Sequence, residues 1–74
     1  MSNSRENFIR LAEKRTNKVI KDIDLLSNLS NKTNYSFTEQ DVRKIFSAVA
    51  LRLKESEAQF QASLKKTAKE KFKL

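Results

Sequence analysis

Apolar positions in the first third of the chain recur as Ile9, Ala12, Thr16, Val19, Ile23 and Leu26, at spacings of 3, 4, 3, 4 and 3. That rhythm places one edge of a helix against other helices, and Phe8 and Ile20 broaden the stripe. Thr16 is its soft point. A polar residue in such a seam sets register or oligomeric state, or else lies at the boundary with its hydroxyl bonded back to the preceding turn; the second is favoured here. A second periodic stretch follows with Val42, Ile45, Phe46, Val49, Ala50, Leu53, Phe60 and Leu64, interrupted by Ser56 and Glu57. The pattern predicts an all-α fold with helix 1 over about 4–29 and helix 2 over about 38–69.

Between the two stretches the rhythm stops. The chain has no glycine and no proline, so a reversal must be built from Asn and Ser. Asn28, Asn31 and Asn34 recur every third residue, each followed two positions on by Ser30, Thr33 or Ser36. These triplets have the form of glycosylation acceptors, but with no secretory leader in view they read as turn formers. Asn tolerates the left-handed conformation that commonly ends helices, so helix 1 is expected to exit through it near Asn28 to Lys32. A loop over about 30–37 then leads to Thr38 as N-cap, Asp41 as a short version of the capping-box acid, and Phe37 placed to staple onto Val42. Helix 1 is expected to begin near Ser2 or Ser4, with Ser4 the candidate cap and Glu6 in its first turn. Tyr35 is expected to fold over the end of the hairpin.

One reversal and two amphipathic helices predict an antiparallel hairpin forming a single domain over 1–74. An unbroken coiled coil and a short third helix in the loop are the competing arrangements. At ~1.5 Å per residue helix 2 runs roughly 48 Å against roughly 39 Å for helix 1, so its far end overhangs. A chain of 74 residues buries only ~60% of its unfolded surface, and without cysteine or histidine it has neither disulfides nor the usual structural metal ligands. A homodimer, closing the hairpins into a four-helix bundle with Ile9, Val19, Ile23, Leu26, Val42, Phe46, Val49, Leu53 and Phe60 along its seams, is the expected remedy.

Charge adds a second face. The net charge is +7, divided as +3 over residues 1–37, zero over 38–64 and +4 over 65–74. Arg10, Lys14, Lys18 and Lys21 cluster roughly opposite the seam of helix 1, and Lys65, Lys66 and Lys69 open a lysine-rich tail. Clustered cations attract phosphates, although charged helix faces are often simply solvated and lysines at a helix C-terminus suit its dipole. Phe8, Phe46 and Phe60 belong to the seams, which leaves little aromatic surface for base stacking; Phe72 among the lysines is the aromatic expected to be exposed, for a partner groove, a frayed tail or a weak membrane-surface contact.

Catalytic chemistry is poorly supplied. There is no His, Cys or glycine-rich phosphate loop, and the acid pairs Asp22/Asp24 and Glu55/Glu57 are two apart and point to different sides of a helix. No enzymatic activity, cofactor or metal is expected. The opening residues lack an apolar leader core, no stretch is long and apolar enough to span a membrane, and a cytoplasmic setting is expected.

The run Leu29-Ser-Asn-x-x-Asn-Tyr35, followed by Asp41-Val-x-Lys-Ile-Phe46 and joined to Arg10-Leu-Ala-Glu13 and Asn17-Lys18, resembles small bacterial proteins of similar length met on plasmids and other mobile elements. The resemblance covers about residues 7–60 and implies a cellular setting without an activity. In architecture alone the chain is similar to the Rop-type helical hairpins that dimerise into a four-helix bundle and bind RNA; no functional residue is carried over from them. The expectation is therefore a small basic binding or regulatory protein that contacts RNA or DNA through helix 1 and the tail, the alternative being an adaptor that binds another protein through its apolar seams.

Overall fold

The computed structural model describes residues 3–69, with side chains to Lys65. The described residues form two α-helices and no strand: α1 (Ser4–Ser27), a single 3-10 turn (Asn28–Ser30) and α2 (Glu39–Lys69). They divide into two units, Met1–Ser36 and Phe37–Leu74. No described helix is long and apolar enough to cross a membrane.

In the first unit the cap position of α1 is Asn3, one residue before the expected Ser4. Asn3 precedes the helix at φ −95° and ψ 9°, and its carbonyl accepts the Asn7 N–H at 2.8 Å. Ser4 is already helical, so it does not act as the cap; Asn3 makes no side-chain cap bond either. Glu6 lies in the first turn, where the exposed N–H groups favour a negative charge.

The exit from α1 departs from the expected left-handed cap. No described residue has positive φ. Asn28 stays right-handed at φ −64° and ψ −18°, and its N–H is shared among the Asp24, Leu25 and Leu26 carbonyls, the kind of shared bond by which a helix tightens into a 3-10 turn. The chain leaves the helical region at Asn31, with φ −77° and ψ 102°. Asn31 makes the turn through hydrogen bonds instead of unusual torsions. Its Oδ1 accepts the Thr33 N–H at 2.9 Å, and its carbonyl accepts the N–H groups of Asn34 at 3.1 Å and Tyr35 at 3.0 Å. This is the Asx turn, which gives Asn a second way to replace glycine. Tyr35 itself is half exposed.

In the second unit, α2 opens with the expected reciprocal cap. The Asp41 N–H donates to Thr38 Oγ1 at 3.1 Å while Asp41 Oδ2 accepts the Thr38 N–H at 2.9 Å. Phe37 and Val42, at the two positions a hydrophobic staple joins, are both partly shielded where most of their neighbours are exposed. Glu39 and Asp41 both fall in the first turn. The expected back-bond of Thr16 is absent among the described residues. Ser27 makes that bond instead, donating from Oγ to the Ile23 carbonyl at 3.1 Å. Helical threonine divides between rotamers, only one of which turns the hydroxyl toward that carbonyl.

Candidate nucleic-acid interface

The basic face of α1 is assembled by helical spacing. At about 100° per residue Arg10, Lys14, Lys18 and Lys21 fall within roughly a quarter-turn of one another, and they extend over about 16 Å of helix. All four are exposed. Two of them are tethered: Lys18 Nζ lies 3.2 Å from Asp22 Oδ2, and an Arg10 Nη donates to Asn7 Oδ1 at 3.4 Å. The first contact offsets a charge, whereas the second positions a charge without cancelling it. Lys14 and Lys21 have no ion-pair partner among the described residues, so the undiluted cations of the patch are Arg10, Lys14 and Lys21. The face is not wholly polar, because Leu25, at 55% exposure, lies on the same side as Lys14 and Lys18.

The opposite face holds the seam. Neither helix fully buries a side chain among the described residues. Val19, Ile23, Phe46, Phe60 and, most of all, Leu53 at 66% are exposed; Ile9 and Val49 are also open, and Leu26 and Val42 are partly shielded. Arg5 sits over the Phe8 ring at 5.8 Å from its centroid and screens one edge of that stripe.

Of the tail residues, Lys65 is described and exposed. Lys66 and Lys69 belong to α2, but their side chains lie outside the described residues, as do residues 70–74 with Phe72. A line missed by the reading of single faces runs along α2. Arg43, Lys54 and Lys65 are spaced eleven residues apart, so each lies only about 20° further round than the last. Arg43 is held by Glu39 at 3.3 Å. An eleven-residue interval, invisible to a search for seven-residue repeats, was the signal that would have found it.

The chain matches no family model, no curated protein and no solved structure. Its chemistry is accordingly that of the residues themselves: a cationic stripe on α1 in which only Lys18 has an ion-pair partner among the described residues, an open apolar stripe behind it, and no group of three or more acidic side chains among the described residues that could hold a metal.

Proposed function

We propose that this chain is a small, non-enzymatic binding and regulatory protein of the cytoplasm that folds as an antiparallel helical hairpin, dimerises into a four-helix bundle, and holds RNA or DNA against the outer face of α1. A home on plasmids or other mobile elements suits such a protein. The observation that carries the proposal is the division of α1 into an apolar side and a cationic side on opposite flanks of one helix. Covering the seams by association leaves Arg10, Lys14 and Lys21 facing outward, joined by Lys18 once Asp22 is displaced and by Lys65, Lys66 and Lys69 at the end of α2. Neutralising phosphates with these side chains releases counterions, so for each tenfold rise in salt affinity falls by about 0.9 logarithmic units per phosphate contact for duplex DNA and about 0.7 for single strands.

Titration of labelled RNA and DNA at two salt concentrations, with wild-type chain and with Lys14→Glu/Lys21→Glu, tests it. The expected result is binding at low salt, weakened and with a shallower salt slope in the variant while helix content is unchanged. Absence of binding at low salt overturns it. A second reading, an adaptor that takes another protein along its seams, is favoured by the exposure of Leu53 and Phe60. It predicts that Leu53→Asp dissolves a co-purifying complex while Lys14→Glu/Lys21→Glu leaves that complex intact.

A further inference from the structure

Within its own unit, α2 carries a basic face that owes nothing to α1. Arg43, Lys54 and Lys65 stand at equal intervals of eleven residues on one continuous helix, with rises of about 16 Å between neighbours and about 33 Å in all. All three are exposed, the Arg43 side chain to 73%. Lys54 lies roughly a third of a turn from the middle of the α2 seam, so covering that seam leaves the line open. The residues between follow the same order in both directions from Lys54. One turn inside each end stands a polar side chain, Ser47 beside Arg43 and Gln61 beside Lys65, and one turn to either side of Lys54 stands an alanine, Ala50 and Ala58.

The strip holds no carboxylate. Those nearest to it, Glu39 and Glu57, lie about 40–60° round toward the seam. Glu39 contacts Arg43 at 3.3 Å, and the five N–H donors of the guanidinium leave room for a phosphate oxygen as well. Lys54 and Lys65 have no ion-pair partner among the described residues.

Spacing decides what such a line fits. Cations that follow one strand stand close together, as on α1, where they succeed one another at rises of about 4.5–6 Å. Along the outside of B-form DNA each strand presents its backbone once per turn of about 34–36 Å, so the two strands together raise a phosphate ridge about every 17 Å on average. Arg43 and Lys65 are about one such turn apart, and Lys54 falls half-way. We propose that α2 lies along the axis of duplex DNA with Arg43, Lys54 and Lys65 on three successive phosphate ridges. The two grooves are unequal, about 12 and 6 Å wide, which sets the middle ridge to one side of the midpoint; the flexible stem of Lys54 takes up the difference. Ser47 and Gln61 add donors for phosphate oxygens at the outer ridges, and the small Ala50 and Ala58 let the middle ridge approach Lys54. No aromatic lies on the strip and its contacts are to phosphate, so binding here is indifferent to base sequence. The proposal rests on the function proposed above for the nature of its ligand, a nucleic acid, but on no residue of the α1 face and on no arrangement of α1 against α2.

The test moves one charge without altering the total. In the full chain, Lys54→Gln/Gln59→Lys carries the middle cation about 140° round α2 and off the line. Labelled duplex DNA of about 20 base pairs, two turns, is titrated beside a single strand of the same length, with helix content followed by circular dichroism. The transposition is expected to weaken duplex binding about five- to tenfold at about 0.1 M salt and to lower the salt slope by about 0.9, one phosphate contact, while single-strand binding changes by less than about twofold. Lys54→Arg, which keeps the charge on the line, should bind duplex as wild type does. Duplex binding untouched by the transposition, or an equal loss on duplex and single strand, overturns the assignment of α2 to duplex ridges; Lys14→Glu/Lys21→Glu reports on the α1 face separately. Loss in the transposed chain with none in Lys14→Glu/Lys21→Glu upholds the α2 site and overturns the α1 face. Absence of binding to either nucleic acid by wild-type chain at low salt overturns both.

Discussion

Replacing Thr38 with alanine removes one half of the reciprocal cap that starts α2. The Thr38 Oγ1 accepts the Asp41 N–H at 3.1 Å, and without it that N–H has no partner in the first turn. The site is exposed, so water takes the vacated place and the cost stays near the middle of the range for N-caps, about 1 kcal/mol. In a chain of this size about 1 kcal/mol corresponds to roughly 4–8 °C in thermal midpoint. Asp41 contributes differently: Asp41→Asn keeps an acceptor for the Thr38 N–H, observed at 2.9 Å, but removes the charge that favours a helix N-terminus, about 0.3–1 kcal/mol. Circular dichroism melts of the two variants at low and high salt separate the contributions. The Asp41→Asn loss should shrink toward zero at about 1 M salt, where the screening length is about 3 Å, while the Thr38→Ala loss persists. Because the two bonds close one ring, Thr38→Ala/Asp41→Ala should cost less than its two single changes together. A Thr38→Ser variant as damaged as Thr38→Ala, or a Thr38→Ala melt indistinguishable from wild type, would refute the capping account.

Leu53→Asp places a charge on the most exposed residue of the seam and should abolish self-association in sedimentation while changing the helix content of dilute chain little; an unchanged sedimentation profile would show that the seam is not the association face. Asp22→Asn releases Lys18 from its 3.2 Å contact and should tighten polyanion binding by about two- to fivefold at low salt, the scale of an exposed ion pair, with a steeper salt slope measured in the same titration. Asn31→Ala deletes the Oδ1 bond to Thr33 but not the two bonds to the residue 31 carbonyl, so it should cost about 0.5–1.5 kcal/mol in urea unfolding; Asn31→Asp, which keeps the acceptor, should cost less.

The two helices were legible because their information is local. Spacing of Val19, Ile23, Phe46 and Val49 writes the seams into the sequence, and Thr38 with Asp41 three positions later writes the start of α2. The exit from α1 was harder, since Asn can end a helix either by adopting the left-handed region or by bonding its side chain to the backbone two residues on. Both need the same residue type, and only the torsions of Asn28 and Asn31 distinguish them. The start of α1 at Ser4, with Asn3 and not Ser4 at the cap position, was likewise hidden, because it rests on which carbonyl begins the hydrogen-bond ladder. In the candidate interface, the positions of Arg10, Lys14, Lys18 and Lys21 follow from periodicity, but the tether of Lys18 to Asp22 depends on rotamers that no spacing rule supplies.

The basic face and the apolar seam can be separated because salt acts on them with opposite signs. Bringing copies of a chain of charge +7 together is opposed by their mutual repulsion, which salt screens, while burial of the seams depends on apolar area and is not weakened by screening. Self-association should therefore tighten as salt rises. Contact between the α1 cations and a polyanion depends on counterion release and should loosen over the same range. At low salt the two are coupled: a polyanion that neutralises the basic faces of several chains lowers the repulsion between them, and whatever favours the assembled form stabilises it by mass action. Assembly driven by RNA or DNA at low salt, replaced by self-association without nucleic acid at high salt, is the behaviour that the proposed function predicts. If instead self-association and polyanion binding weaken together as salt rises, the seam is not what holds the copies together.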